Sequence, residues 1–312
     1  MIDKKAKIYI AGHNGMVGSA CWRKLETKGY TNLLGKSSSE LDLTVKNDVL
    51  DFINKHKPDV IINAAAKVGG IVANSENKLS FMLDNISIQN NLLEAALDNN
   101  IPNFVFLGSS CIYPKHAIQP MNENALLTGL LEPTNEGYAL AKITGVKAIE
   151  FLREKQNINY YSLMPTNLYG ENDNFDLKTS HVIPGLIAKM YQAKLENKPF
   201  VKLWGDGSPM REFMHVDDLA EAIIFSLNTK LNGTLYNVGS GQEVTIKELA
   251  NIIAQVTEYS GNIIWDDEKP NGTPRKLMDS SKFFELGYTP RISLSDGLKK
   301  TYESYKIKIN GK

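Results

Sequence analysis

The sequence has little cysteine, no excess charge of either sign and no long apolar run, and each absence excludes a class of protein. Cys21 and Cys111 are too few for a disulfide framework, so we expect free thiols and a cytoplasmic, reducing location. The 35 basic residues balance the 35 acidic ones, which argues against nucleic acid or an anionic membrane as partner. No segment approaches the ~20 apolar residues of a membrane span, and the first apolar run leads into glycines as a strand does, not a signal sequence.

Metal-binding patterns are also lacking. The five histidines show no H-E-x-x-H spacing, and we predict no metal site.

Short β-branched runs alternate with longer helical patterns, which predicts an α/β fold with a doubly wound parallel sheet of the Rossmann type. After about residue 170 the strands and helices become shorter. Because the 312 residues exceed the usual limit of a single core, ~250–300 residues, we expect two lobes and a cleft between them. We predict a dinucleotide-binding domain over residues 1–170, whose sheet later segments can join, and a smaller α/β lobe, mainly for substrate, over 171–312.

A glycine turn follows the first predicted strand directly and opens a helix. Gly12, Gly15 and Gly18 have the spacing GxxGxxG, which allows a tight turn and close approach of a pyrophosphate to the helix N-terminus. As a bare pattern the spacing is weak, and glycines in a loop are often structural. Its place between strand and helix favours dinucleotide binding.

The residues after the second predicted strand indicate which dinucleotide binds. NAD-type sites end this strand with an acidic residue for the ribose 2′-hydroxyl, but here Leu34 is followed by Gly-Lys-Ser-Ser-Ser. Lys36 and the serine hydroxyls suit a 2′-phosphate, so the sequence favours NADP. The alternative is that Lys36 is only a solvated lysine in a turn.

Tyr138 and Lys142 lie four positions apart on a predicted helix, so both side chains lie on one side. A nearby ammonium stabilises phenolate, and we expect it, together with the positive charge of an oxidised nicotinamide, to lower the pKa of Tyr138 from its usual value near ~10 towards working pH. The pattern YxxxK is common by coincidence. Ser109, after the fourth predicted strand, strengthens it because a serine there can hydrogen-bond a substrate carbonyl beside the tyrosine.

Several segments in this order resemble the extended short-chain dehydrogenase/reductase superfamily and, within it, the GDP-L-fucose synthases, the GDP-4-keto-6-deoxy-D-mannose epimerase-reductases. The segments are residues 11–19 (AGHNGMVGS), 64–74 (AAAKVGGIVAN), 107–114 (LGSSCIYP), 131–136 (LEPTNE), 164–170 (MPTNLYG), 180–184 (SHVIP), 204–218 and 272–277 (GTPRKL). The resemblance covers nearly the whole chain. It implies NADPH-dependent conversion of a GDP-linked 4-keto sugar to GDP-L-fucose, by C3/C5 epimerisation and then C4 reduction.

The resemblance also implies residue roles. Ser109, Tyr138 and Lys142 would be the reductase triad, and Cys111 and His181 the epimerase base and acid. Proton exchange at C3 and C5 of a 4-keto sugar suits a thiol and an imidazole, since both titrate near neutrality. Without the resemblance, Cys111 is more simply a buried small hydrophobe and His181 a histidine of a helix start or core. The predicted cofactor-binding residues are Gly12, Asn14, Gly15, Met16, Val17, Gly18, Lys36, Ser38, Asp42, Leu43, Leu107, Gly108, Lys142, Pro165, Thr166, Asn167, Leu168 and His181.

On the substrate side, Arg211 offers a planar fork suited to a diphosphate and Trp204 a face suited to a sugar or base. The bland alternative for Arg211 is a surface ion pair. The resemblance adds Lys189, Asn271 and Lys276 around the nucleotide-sugar. It also implies a homodimer, formed through the predicted helices 86–97 and 138–152.

The chain departs from the family pattern at four of these positions. Asn14 and Ser38 stand where arginines are expected around the 2′-phosphate, and Lys189 and Asn271 replace an expected arginine and aspartate. The alternatives are therefore a C4 reductase of a related GDP-4-keto sugar, such as a 6-deoxy-heptose, that does not epimerise, and a non-catalytic dinucleotide-sensing module. A 4-epimerase or 4,6-dehydratase fits less well, because a dehydratase needs acidic residues where this chain has Ser110-Cys111.

Overall fold

The computed structural model of the chain describes residues 2–177, 179–269 and 271–311 and has an α/β fold. The strands are β1 (Ile8–Ala11), β2 (Leu33–Leu34), β3 (Val60–Asn63), β4 (Asn103–Leu107), β5 (Asn159–Pro165), β6 (Asn167–Tyr169), β7 (Phe200–Trp204), β8 (Met210–His215), β9 (Leu235–Val238), β10 (Glu243–Thr245), β11 (Asn262–Asp266) and β12 (Arg275–Lys276). The helices are α1 (Met16–Thr27), α2 (Lys46–His56), α3 (Ile71–Glu76), α4 (Lys78–Asp98), α5 (Glu136–Lys155), α6 (Val182–Leu195), α7 (Val216–Leu227), α8 (Ile246–Thr257), α9 (Ser281–Phe284) and α10 (Leu294–Asn310). Within these ranges, every helix is too short or too polar to cross a membrane.

The main sheet of the described chain has the strand order β2-β1-β3-β4-β5-β9, with every neighbouring pair parallel. Its strands are apolar on both faces because helices cover both faces. In β1, Ile8 and Ile10 pack into one core with α1 and α7, whereas Tyr9 packs into the other with α2, α4 and α5. The predicted doubly wound fold is confirmed.

The strand order reverses beside β1, since the chain goes from β1 to β2 on one side and then to β3, β4 and β5 on the other. At such a reversal the carboxyl ends of the parallel strands border a crevice, the usual ligand site of an open α/β sheet. The glycine turn after β1 and the segment after β4 both lie at this edge.

Residues after 170 contribute both to the main sheet and to a second part of the fold. Strand β9 adds to the main sheet, while β10, β8 and β12 form a separate sheet to which β6 pairs, and β7 pairs with β11. A third core lies under α6, α8 and α10. A capping box formed by Thr245 and Glu248 opens α8, as the T-x-x-E pattern of these residues indicates. The division at residue 170 remains a prediction, and β9 is a segment after it that joins the main sheet.

We expect Gly18→Ala to lower the free energy of unfolding by about 1–3 kcal/mol. A Cβ added at Gly18 would lie 2.1 Å from the carbonyl oxygen of Gly12, so backbone would have to shift. Gly15→Ala is the matched control, because its added Cβ would lie 3.3 Å from the same oxygen. Urea unfolding of both variants measures the difference. Equal stabilities would show that close approach of turn and helix does not require glycine at position 18.

Candidate active site

The turn between β1 and α1 has the shape of an anion site. Gly12 adopts φ +80°, and a Cβ added there would lie 2.8 Å from Cα of Ala65. Gly15 precedes the helix without a capping side chain, so the first N–H groups of α1 remain available to a ligand. Asn14 is exposed beside them, and Met16 and Val17 pack partly into the core. These residues fit the pyrophosphate of a dinucleotide.

The loop after β2 lies against this turn. Gly35 contacts His13 so closely that a Cβ added to the glycine would lie 2.5 Å from the imidazole ring. Lys36 donates from Nζ to Oε1 of Glu40 at 2.8 Å, and Ser38 is exposed. Asp42 accepts hydrogen bonds from the N–H and hydroxyl of Thr44, which lower the pKa of the carboxyl. Leu43 is half-buried further along.

Sequence reasoning missed Glu40, although the signal was present. Ser37 and Glu40 have the spacing of a capping box, and Glu40 accepts hydrogen bonds from the N–H and hydroxyl of Ser37 at 2.9 and 2.7 Å. The acidic side chain of Glu40, six residues after the end of β2, therefore lies in the loop that follows this strand.

Lys142 joins α5 to the carboxyl end of β4. Its buried Nζ donates to the carbonyl oxygen of Leu107 at 2.7 Å and lies 5.6 Å from the centroid of the Tyr138 ring. The predicted placement of Tyr138 and Lys142 on one side of a helix is confirmed. Burial lowers the pKa of Lys142 from 10.5 to about 8.

The expected direction for Tyr138 is wrong for the protein alone. Desolvation raises the pKa of this phenol above its usual value, and the negative charge of a Cys111 thiolate would raise it further. The ammonium of Lys142 is held by a backbone carbonyl and does not outweigh the loss of water.

The segment after β4 carries Gly108, Ser109 and Cys111 to the end of α5. Gly108 fits under Met164, whose Cε would lie 2.0 Å from an added Cβ. The hydroxyl oxygen of Ser109 accepts from the N–H of Cys111 at 3.4 Å, at the start of a 3₁₀ turn. The Cys111 thiol is free and buried, and burial raises its pKa, against the opposing charges of Lys276 and Lys142.

His181 directly precedes α6 at its N-cap position and is exposed, and its side chain makes no capping hydrogen bond. The protein around its ring and the positive charge of Lys276 lower the pKa of the imidazole. Lys276 therefore lies within electrostatic range of both Cys111 and His181.

Two further predicted substrate residues face each other across adjacent strands. Arg211 in β8 is the register partner of Lys276 in β12, and desolvation together with the like charge of Arg211 lowers the pKa of Lys276. Arg211 is half-buried and makes no ion pair among the described residues, which argues against the surface-pair interpretation. Asn271 accepts from the N–H of Asp206 at 2.9 Å. Two positively charged side chains thus lie side by side, and one of them, Lys276, is within electrostatic range of Cys111.

The remaining predicted substrate residues lie around β7. Trp204 ends this strand with 67% of its surface exposed. Lys189 donates from α6 to the carbonyl oxygen of Lys202 at 2.5 Å, so its charge is engaged by backbone in this structure.

Pro165 to Leu168 lie where β5 gives way to β6. The N–H of Thr166 donates to the carbonyl oxygen of Val238, and the side chains of Thr166 and Asn167 donate to the carbonyl oxygen of Glu212.

Glu212 was not predicted as a site residue, since an acidic residue in a strand is typical of an exposed position. Its buried carboxylate accepts from the N–H groups of Gly241 and Met278, and burial raises its pKa. Glu212 therefore joins the segment 165–168 to the strand that carries Arg211.

Comparison with known proteins gives a consistent family. The family model described as "NAD dependent epimerase/dehydratase family" matches residues 8–239. The chain is 52% identical to GDP-L-fucose synthase 1 of Arabidopsis thaliana over 305 residues, which cover 98% of this chain and 94% of that protein. It is 47% identical to GDP-L-fucose synthase of Escherichia coli K12 over 308 residues, covering 96% of each.

Solved structures include a similar enzyme with cofactor. A GDP-mannoheptose C4 reductase from Campylobacter jejuni with NADP bound is 34% identical and superposes with a TM-score of 0.89, covering 98% of this chain and 100% of that one.

We expect the stability contributed by Lys142 to depend on pH. Because its pKa falls from 10.5 to about 8 on folding, the unfolded chain binds more protons between these values, and stability rises with pH across that window. The free energy of unfolding of the native chain should therefore rise relative to that of Lys142→Met between about pH 7.5 and about pH 10. Denaturant titrations of both proteins measure this difference. A difference independent of pH would mean that the ammonium is hydrated rather than buried.

Proposed function

The chain belongs to the NAD dependent epimerase/dehydratase family, and from this membership we propose its function. It is an NADP-dependent oxidoreductase and isomerase that converts GDP-4-keto-6-deoxy-D-mannose to GDP-L-fucose. The observation that carries this function is the segment after β4, where the free thiol of Cys111 lies two residues after Ser109 and within electrostatic range of the buried Lys142. A proton-transfer group thus adjoins a carbonyl-reducing group.

The cofactor is NADP(H), as in the similar C4 reductase with NADP bound. The glycine turn and the open N-terminus of α1 would hold its pyrophosphate, the loop 36–43 its adenosine ribose, and residues 107–108 and 165–168 the nicotinamide end. When bound, NADPH supplies the hydride that reduces the C4 ketone.

We assign Tyr138 as the proton donor for C4 reduction, with Ser109 as the second hydrogen-bond donor to the ketone oxygen. Desolvation raises the pKa of Tyr138, which keeps the phenol protonated before the reaction. The positive charge of Lys142, 5.6 Å from the ring centroid, stabilises the phenolate that forms when the proton leaves. The bond to Leu107 holds that charge in place.

We assign Cys111 and His181 to the inversion at C3 and C5. A 4-ketone acidifies both carbons, so a base removes a proton from one face and an acid returns one to the other. The charges of Lys276 and Lys142 favour the Cys111 thiolate against burial. The lowered pKa of His181 makes its imidazolium a stronger acid, and its exposure lets water restore the proton between the two inversions.

We assign Arg211 and Lys276 to the diphosphate of the nucleotide-sugar. Arg211 has no anionic partner among the described residues, and the lowered pKa of Lys276 reflects desolvation together with this neighbouring cation. A diphosphate would neutralise both. Trp204, Asn271 and Lys189 would meet the rest of the ligand. In this scheme residues 1–170 form the NADP-binding domain and residues 171–312 mainly the substrate lobe.

We propose a cytoplasmic homodimer formed through α4 and α5. These helices expose Leu79, Leu83, Leu140 and Phe151 by 41–65%, at spacings that place each pair on one helix face. The two free cysteines support a reducing compartment. Sedimentation of a Leu83→Glu/Leu140→Glu variant tests the interface, and a sedimentation coefficient equal to that of the native chain contradicts it. Cell fractionation tests the location.

A second function is favoured by the similar C4 reductase of Campylobacter jejuni. In that alternative the chain reduces C4 of a related GDP-4-keto sugar, such as a 6-deoxy-heptose, and does not epimerise it. Tyr138, Lys142 and Ser109 would keep their roles, whereas Cys111 and His181 would have none.

We expect turnover of GDP-4-keto-6-deoxy-D-mannose with NADPH in heavy water to give GDP-L-fucose with deuterium at C3 and C5. Both carbons lose their original proton, and solvent supplies the new one. NMR and mass spectrometry of the product measure this. A reduced sugar without deuterium would support the C4 reductase and contradict epimerisation.

We expect Tyr138→Phe to lower the rate of reduction by at least about 100-fold, because it removes the proton donor. Deuterium exchange into the 4-keto sugar should persist in this variant. Cys111→Ala should abolish the exchange, and Cys21→Ala, which alters the buried cysteine of α1, should leave both steps unchanged. Undiminished reduction by Tyr138→Phe would contradict the mechanism, whereas a native chain that binds NADPH but reduces no sugar would favour the non-catalytic dinucleotide-sensing module.

A further inference from the structure

The turn after β2 places a carboxylate on the donors that a 2′-phosphate needs. Oε1 of Glu40 accepts from Nζ of Lys36 at 2.8 Å, and Oε2 accepts from the N–H and hydroxyl of Ser37 at 2.9 and 2.7 Å. A cation, a backbone N–H and a hydroxyl are the groups that bind phosphate oxygens in proteins. In this structure, Glu40 occupies them.

The turn also lies where a dinucleotide ribose would lie. Strands β1 and β2 are register neighbours, and Gly35 packs on His13 of the glycine turn. In NAD-type sites an acidic residue near the end of β2 accepts the ribose 2′-hydroxyl. Here the acidic residue is Glu40, which lies in a turn beyond the strand. The N–H groups of Glu40 and Leu41 donate to the carbonyl oxygen of Ser37, and this turn brings the Glu40 side chain back to the loop after β2.

We propose that Glu40 determines cofactor specificity: it holds Lys36 and Ser37 against the 2′-phosphate of NADPH and offers its carboxylate to the 2′-hydroxyl of NADH. The chain therefore uses NADH as well as NADPH. The proposal rests on the proposed function for the position of the cofactor.

Charge explains why the two cofactors respond differently. The bonds from Lys36 and Ser37 lower the pKa of Glu40 to about 2, so the side chain is an anion at working pH. A 2′-phosphate carries a charge of about −1.5 to −2 and must either displace this anion from its donors or bind beside it. NADH carries no 2′-phosphate and meets neither cost.

A simpler interpretation is that Glu40 only caps its turn. The chain offers a matched control in Glu248, which accepts from the N–H and hydroxyl of Thr245, both at 2.8 Å. Glu248 opens α8, outside the loops assigned to the cofactor, and has no lysine on its carboxylate in the ion pairs of the described residues. A capping role alone gives both variants the same loss of stability and no change in cofactor preference.

The test compares Glu40→Gln with Glu248→Gln. We expect Glu40→Gln to raise the ratio of kcat/KM for NADPH to that for NADH by at least about fivefold, through tighter NADPH and weaker NADH binding. Glu248→Gln should leave the ratio unchanged. If Glu40→Gln leaves the ratio of NADPH to NADH efficiency unchanged, the proposal is overturned. If the ratio falls, the proposal is also overturned, because Glu40 would then help NADPH binding by orienting Lys36 towards the phosphate.

A binding experiment separates this proposal from the proposed function. Calorimetric titration with 2′,5′-ADP and with 5′-AMP needs no sugar, and Glu40→Gln should tighten only the former by at least about fivefold. If both affinities change equally, or neither changes, the proposal fails even where the sugar is turned over. If 2′,5′-ADP alone binds more tightly while the 4-keto sugar is not converted, the proposed function fails and the role of Glu40 stands. Thermal unfolding checks that both variants are folded. If Glu40→Gln does not fold, Glu40→Ala takes its place in both experiments.

Discussion

The hydrogen bond from the buried ammonium of Lys142 to the carbonyl oxygen of Leu107 is the interaction on which the site depends. It joins α5, which carries Tyr138, to the carboxyl end of β4, after which Ser109 and Cys111 follow. A buried ammonium is costly without a partner, and the lowered pKa of Lys142 records that cost. The same charge acts on the Tyr138 ring and on the Cys111 thiol, so one lysine serves both halves of the proposed chemistry.

The parallel sheet explains why groups distant in sequence meet there. All strands of the main sheet end at one edge, so the turn after β1, the loop after β2 and the segments after β4 and β5 border one crevice. The second part of the chain adds Arg211 and Lys276, which the sheet of β8 and β12 brings side by side, and Lys276 acts on Cys111. Glu212 joins the two parts, because its carboxylate and carbonyl oxygens accept hydrogen bonds from both. Positive charge therefore gathers at the pair of residues that we propose as the diphosphate site.

Much of this was predictable from residue patterns. Apolar runs gave the strands, the spacing of Tyr138 and Lys142 placed both on one side of α5, and Thr245 with Glu248 marked the start of α8. The missed features depend on contacts that periodicity does not encode. Desolvation reversed the expected pKa direction of Tyr138, a turn brought Glu40 back to Lys36, and burial in a strand hid Glu212. Each results from tertiary surroundings, not from local sequence.

The central claim is that one ketone is served by two sets of groups, one for proton exchange and one for reduction. A crystal structure of the chain with NADP and GDP-L-fucose tests it most directly. We expect the Tyr138 and Ser109 hydroxyls both to lie within hydrogen-bond distance of the sugar C4 oxygen. We also expect Cys111 and His181 to lie on opposite faces of the ring at C3 and C5. A sugar bound with both groups on one face, or away from Tyr138, would contradict this claim.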